Sequence, residues 1–219
     1  MDEPSQRVII RSMGLCEFEP VWRRMQTFTS ARTPSTVDEV WCLQHHPVYT
    51  QGQAGKPEHV LHAGDIPVVH IDRGGQVTYH GPGQLVVYTL VDLQRRGLGV
   101  RDFVSAIEQS VIDTLQALGV VSLRKKKAPG VYVSDAKIAA VGLRVRHGRT
   151  FHGLSINVNM DLTPFSGINP CGYAGLGVTQ VREVCNEESV ENVQSSFLAH
   201  FFKQLSYTDI SYSNEARNL

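Results

Sequence analysis

The sequence predicts an α/β protein of the α+β type, a β-sheet with helices packed on one side, and three observations carry that prediction. Three segments place apolar residues at helical spacing, and six shorter runs read as strands. The two kinds of segment do not alternate as regular βαβ units. Neither a dinucleotide fingerprint nor a phosphate-binding P-loop is present.

In chain order, segment 18–29 sets Phe18, Val21, Trp22, Met25 and Phe28 on one helical face, with Pro20 tolerated in the first turn. The runs "EVWCLQ" and "IPVVHID" follow as strands. The run 85–93, "LVVYTLVDL", is apolar on both faces and reads as a central strand covered on both sides. Segment 100–118 is the clearest helix: Val100, Phe103, Val104, Ile107, Val111, Leu115 and Leu118 form one stripe, closed by Gly119. Three more strands are "GVYVS", "KIAAVGLRV" and "FHGLSINVN". A third helix near 188–205 turns Val190, Val193, Phe197, Phe201 and Leu205 inward. No repeat or low-complexity linker divides the chain, so residues 1–219 read as a single domain.

Composition narrows the function. Of 219 residues 42% are apolar and 19% charged, and 21 basic residues balance 21 acidic ones, so no global field draws nucleic acid or an anionic membrane. The scattered Cys16, Cys42, Cys171 and Cys185 form no CxxC pair, which argues against a disulfide framework and for a reducing compartment. The start "MDEPSQRVIIRSMG" has neither signal- nor transit-peptide character, and no apolar run approaches the roughly 18–20 residues of a membrane span. A soluble cytoplasmic domain is expected.

Four segments interrupt the core-like sequence: "RGGQVTYHGPGQ" (73–84), "KIAAVG" (137–142), "FHGLSINVN" (151–159) and "INPCGYAG" (168–175). In the first, glycines let main chain approach a ligand. A glycine-rich hairpin would look the same, but it has no need of both Arg73 and His80. If 137–145 is a strand, Lys137 shares a face with Ala139, Val141, Leu143 and Val145. There it either snorkels to solvent or serves as a partly desolvated ammonium. In the third segment His152, Leu154, Ile156 and Val158 point one way, and Gly153, Ser155, Asn157 and Asn159 the other. His152 reads as a core histidine, and the small face suits a ligand groove. Cys171 sits on a turn, where a neighbouring cation would favour its thiolate, although a small buried cysteine is also common. The other three cysteines read as structural. His45-His46 and the pair His59 and His62 lack an accompanying Glu or Cys in a zinc-site pattern, so no metal is expected. The basic run "RKKK" (124–127) is either a solvated loop or a landing patch for an acidic partner.

Together the segments "RGGQVTYHGPGQLVVYTLVDL", "APGVYV", "KIAAVGLRV", "FHGLSINVNMDL" and "FSGINPCGYAG" resemble the octanoyltransferases of protein lipoylation. These are acyl-carrier-protein-dependent members of the biotin/lipoate protein ligase superfamily. The matching motifs run in order over about residues 35–185, with a family core of about 33–215. The resemblance implies a mixed sheet flanked by helices, like the catalytic domain of biotin and lipoate protein ligases. It implies transfer of an octanoyl group from octanoyl-acyl carrier protein to a lysine of lipoyl domains, those of oxo-acid dehydrogenases and the glycine cleavage H protein. By position it makes Cys171 the acyl-thioester nucleophile and Lys137 the lysine that lowers its pKa. It places the acyl pocket on Arg73, Gly74, Gly75, Gln76, Val77, Thr78, Tyr79 and His80, on Ala140, Val141 and Gly142, and on Gly153, Leu154 and Ser155. Main-chain N–H groups near Gly142 and Cys171 would hold the oxyanion. No cofactor, nucleic acid or membrane is implied. The alternatives are an ATP-dependent lipoate or biotin ligase, a cysteine thioesterase, and a fold that only binds lipoyl domains.

Overall fold

The computed structural model describes residues 6–126, 128–172 and 175–213, and of Cys171 the main chain alone. Eight strands form one mixed sheet: β1 (Arg7–Cys16), β2 (Asp38–His45), β6 (Gln84–Leu90), β7 (Leu123–Lys125), β8 (Ala128–Val133), β9 (Ala136–Arg146), β10 (Arg149–Asn157) and β11 (Asp209–Ser213). Their order is β11-β1-β2-β6-β10-β9-β8-β7. β1 runs parallel to β2 and β11, and the remaining pairs are antiparallel. A second sheet of three strands, β4-β3-β5, is built from β3 (Val48–Gln51), β4 (Val68–His70) and β5 (Val77–His80).

Helices cover both faces of the large sheet, not one. Helix α1 (Phe18–Ala31) sends Val21 and Met25 against Trp41, Leu43, Val86 and Tyr88. Helices α2 (Val100–Ala117) and α4 (Val190–Gln204) pack Phe103, Ile107, Phe197 and Phe201 onto Val40, Cys42, Leu85 and Val87 of the opposite face. Strand alternation along β2 and β6 requires this, since every residue of β6 and all of β2 except Gln44 are buried and need cover on their own side. Helix α2 stops at Gly119, whose φ of 79° suits a glycine beyond a helix end. Ser189 caps α4 by accepting from Asn192 N at 3.1 Å. The short helix α3 (Val181–Cys185) has no counterpart among the expected elements.

Two local departures from strand alternation decide what faces the site. The β8–β9 register steps from Val131↔Ala139 to Tyr132↔Lys137, leaving Ile138 as an extra residue in a β-bulge. Ile138 and Ala139 therefore both enter the core beneath α2 and α4. Lys137 is turned off the apolar face expected for it and lines an enclosure on the other side of the sheet, with Thr78, Ser155 and Asn157. The second departure is His152, whose φ is 60°. This turns its ring away from the side taken by Leu154, Ile156 and Val158 and stacks it on Phe151, 5.1 Å away.

Candidate active site

The three-stranded sheet and the loop before β5 lie over β6, β10 and β9 and close a narrow cleft with about 60 Å³ of free space. Arg73, Gly74, Gly75, Gln76, Val77, Thr78 and His80 line one wall; Ala140, Val141 and Gly142 of β9 and Gly153, Leu154 and Ser155 of β10 line the other. Tyr79 faces away from the cleft. Its ring packs against Tyr49 at 5.5 Å and Phe165 at 5.6 Å, as strand alternation between Thr78 and His80 requires. Sequence reading did not assign Phe18, Ile71, Val86, Tyr88 or His152 to the cleft, and all five line it. They read as ordinary core residues, and only the three-dimensional crossing of α1 over β2 and β6 collects them.

Glycine has a specific reason at two cleft positions. A Cβ on Gly153 would overlap the Val87 carbonyl, so only glycine lets β10 lie this close to β6. A Cβ on Gly142 would stand 3.0 Å from Arg73 Cδ. The wall is tied down where Gly74 N donates to Leu143 O at 2.9 Å.

Polar groups around the cleft are buried and partnered. Arg73 donates to Thr50 O at 2.6 Å, Thr50 Oγ1 at 2.9 Å and Gly74 O at 2.8 Å. His80 Nδ1 meets Gln84 Oε1 at 2.7 Å, and Gln84 donates onward to Asn157 Oδ1 at 3.0 Å. His45 Nδ1 lies 3.0 Å from the Cys16 carbonyl, which can only accept. That nitrogen therefore carries the proton, and Nε2 accepts from the Tyr88 hydroxyl at 2.7 Å. His152 Nε2 pairs with Asp72 Oδ1 at 3.0 Å, and Trp22 Nε1 donates to the same oxygen at 3.0 Å.

These surroundings keep the histidines neutral. Burial pushes His80 down to about 3, with the neighbouring His45 and Arg73 adding to the effect against the Gln84 hydrogen bond. Burial likewise lowers His45 to about 4 and lowers His152. Burial alone would raise Asp72, but hydrogen bonds from His152 and Trp22 outweigh it and hold the carboxyl at about 2. Burial also pushes the Cys42 thiol up to about 12 and raises Cys16, so both are poor sources of thiolate.

Lys137 is 4% exposed. Its Nζ donates to Pro129 O at 3.1 Å and lies 5.2 Å from the Tyr132 ring centre. The enclosure that it lines includes Pro170 and adjoins the cleft, because Thr78, Ala140 and Ser155 wall both. Cys171 falls in a 3₁₀ turn, Pro170–Gly172. The segment around that turn is fastened on both sides. Asn169 N donates to His59 O at 2.8 Å, while Lys137 N donates to Gly177 O at 2.8 Å and Thr179 N to Lys137 O at 3.0 Å. Gly172 sits against Gln76 and His59, where an added Cβ would stand 3.3 Å from each side chain. The turn is thus held between the cleft wall and the lysine strand. Tyr173 and Ala174 of the same motif lie outside the described residues.

Among the described residues no group of three His, Cys, Asp or Glu side chains could hold a metal ion. In the basic run, Arg124 pairs with Glu108 at 3.1 Å and Lys125 with Asp135 at 2.8 Å. Lys126 is exposed, and Lys127 lies outside the described residues.

Comparison with known proteins places this geometry. A family model described as the lipoyl protein ligase A/B catalytic domain matches residues 20–202. The octanoyltransferase of Hahella chejuensis is 56% identical over 205 residues, 94% of this chain and 92% of that one. That of Thiobacillus denitrificans is 58% identical over 192 residues, 88% of each. Among solved structures, a lipoate protein ligase of T. acidophilum with bound lipoic acid superposes with a TM-score of 0.74 at 14% identity, over 96% of this chain and 90% of that one. The biotin protein ligase of Aquifex aeolicus with biotin and ATP gives 0.59 at 12% identity, over 90% and 69%. At such identities the structures speak for the fold alone, a mixed sheet flanked by helices. With the family model spanning most of its length and relatives above half identity over nearly all of it, the chain belongs to the lipoyl protein ligase A/B catalytic-domain family, on its octanoyltransferase branch.

Proposed function

We propose that the protein transfers an octanoyl group from the phosphopantetheine thioester of acyl carrier protein to a lysine of a lipoyl domain, through a thioester on Cys171. One observation carries the reading. A cleft floored by Val86, Leu154 and Ala140 adjoins the enclosure of a buried lysine, and Pro170 of the Pro170–Gly172 turn lines that enclosure.

The chemistry follows from these parts. The Cys171 thiolate attacks the octanoyl carbonyl, the C–S bond to the carrier breaks, and the departing thiolate takes a proton. One thioester replaces another, so the exchange needs no ATP. The acceptor lysine, as free amine, then attacks the acyl-enzyme, the Cys171 thiolate leaves, and an amide remains. Lys137 stabilises the thiolate and gives or accepts these protons. The cleft holds the acyl chain, at roughly 0.8 kcal/mol for each buried CH₂. The oxyanion falls to main-chain N–H groups of the Cys171 turn. Gly142, named for this from sequence, lines the cleft but not the Lys137 enclosure.

The acceptors are lipoyl domains of oxo-acid dehydrogenases and the glycine cleavage H protein, and the compartment is the cytoplasm. No helix among the described residues is long and apolar enough to cross a membrane. The deciding experiment incubates the protein with octanoyl-acyl carrier protein and an apo-lipoyl domain without ATP. An octanoylated lysine on the lipoyl domain is expected. A strict requirement for ATP would make the protein a ligase, and free octanoate without an acylated domain would make it a thioesterase.

A further inference from the structure

Phe18, the first residue of α1, separates two hollows. On one side is the cleft, where Phe18 packs against Ile71. On the other is an outer groove, where it packs against Val48 beside Val69. Apart from Phe18, the linings of the two hollows share no residue. The ring is 4% exposed and fixed from three directions: His45 lies 5.2 Å away, Trp22 6.2 Å, and His80 6.4 Å with its ring nearly parallel.

Its place in the sheet fixes which end of the cleft it closes. Lys137 belongs to β9, and the cleft crosses β10 and β6 before meeting Phe18 above His45 of β2. Three strand spacings of ~4.8 Å put the ring about 14 Å from the lysine strand. The extended tail of a medium-length acyl chain attached near Lys137 spans a distance of this order. Beyond the ring the groove continues towards solvent between Pro20, Pro47, Val48 and Val69, with Glu17, Glu19, Arg23 and His46 also on its lining.

We propose that Phe18 is the end wall of the acyl cleft and sets the longest chain it accepts. With the wall shortened, the methyl end of a longer chain passes into the outer groove. With the wall enlarged, the cleft ends sooner. The inference rests on the acyl-transfer reading given above.

The test compares wild type with Phe18→Ala, Phe18→Leu and Phe18→Trp on pantetheine thioesters of six, eight, ten and twelve carbons. Initial thiol release is measured together with the Kd of the corresponding free fatty acids. Wild type is expected to favour eight carbons. Phe18→Leu and Phe18→Ala should raise the twelve-to-eight ratio of kcat/KM by on the order of tenfold or more, because one methylene in a closed pocket already discriminates to this extent. Phe18→Trp should move the preference towards six, and the fatty-acid Kd values should follow the same order without any chemical step. Phe18→Leu keeps an apolar side chain in the packing, so it and Phe18→Trp decide the matter if Phe18→Ala fails to fold. Folded variants with the wild-type chain-length profile in both measurements would overturn the wall. A wild type that releases no thiol from the eight-carbon donor would instead remove the acyl-transfer reading beneath it.

Discussion

Two neutral histidines under the cleft make stability fall with acid from about pH 6.5 downwards. His45 is held down to about 4 and His80 to about 3 in the fold. In the unfolded chain both return to about 6.5. Below that pH the unfolded state binds protons that the folded state refuses, so stability is present above about 6.5 and is lost as pH falls. Each histidine removes about 1.4 kcal/mol per pH unit until its folded pKa is reached. At about pH 5, some 1.5 units into that window, the loss is about 2 kcal/mol for each and about 4 kcal/mol together. His152 is lowered as well and adds in the same direction. Asp72, depressed to about 2, keeps its stabilisation above its unfolded value of about 3.9 and loses it only as pH falls from there, so it contributes little between about pH 7.5 and about pH 5. Against a typical stability of roughly 5–15 kcal/mol, such a loss is a large fraction. Urea unfolding at about pH 7.5 and about pH 5 measures it, with an unchanged m-value expected. Replacing His45 and His80 by Gln should flatten the dependence. Equal unfolding free energies for wild type at the two pH values, or a His80 imidazole that titrates near 6.5 in the folded protein, would refute the reasoning.

Two further perturbations address the site. Lys137→Ala should lower kcat/KM for octanoyl transfer by about 10²–10⁴, the usual contribution of a positioned acid–base group, and should raise the pH at which Cys171 alkylates. An unchanged alkylation profile would remove Lys137 from the thiolate role. Gly153→Ala drives a methyl group into the Val87 carbonyl and pushes β10 off β6. A loss of about 1–3 kcal/mol is expected, read as a fall in Tm of about 2–4 °C for each kcal/mol; an unchanged Tm would show that the two strands have slack.

Much of the fold is legible in the sequence because long apolar stripes are strong signals. Helices expected at 18–29, 100–118 and near 188–205 correspond to α1, α2 and α4 within one or two residues at nearly every end. The run 85–93 is the central β6, fourth in the order of eight strands. Its two apolar faces already implied cover on both sides, and weighing that signal fully would have placed helices on both. Sequence periodicity misjudged Lys137 and His152 because each stands at a break in strand alternation. The Ile138 bulge reverses one side chain, and a φ of 60° reverses the other. Neither break has a glycine or proline of its own to announce it. Phe18 and Tyr88 escaped notice for a different reason. Both serve the core and the cleft wall at once, so their sequence pattern is that of core residues.

The central claim is that Cys171 carries the acyl group, and intact-protein mass spectrometry tests it most directly. After incubation with octanoyl-acyl carrier protein and no acceptor, wild type should gain the mass of one octanoyl group, removable by hydroxylamine. Cys171→Ser and Cys171→Ala should gain none while keeping the wild-type Tm. A full adduct on either variant, or octanoylated lipoyl domain formed at the wild-type rate without Cys171, would contradict the account.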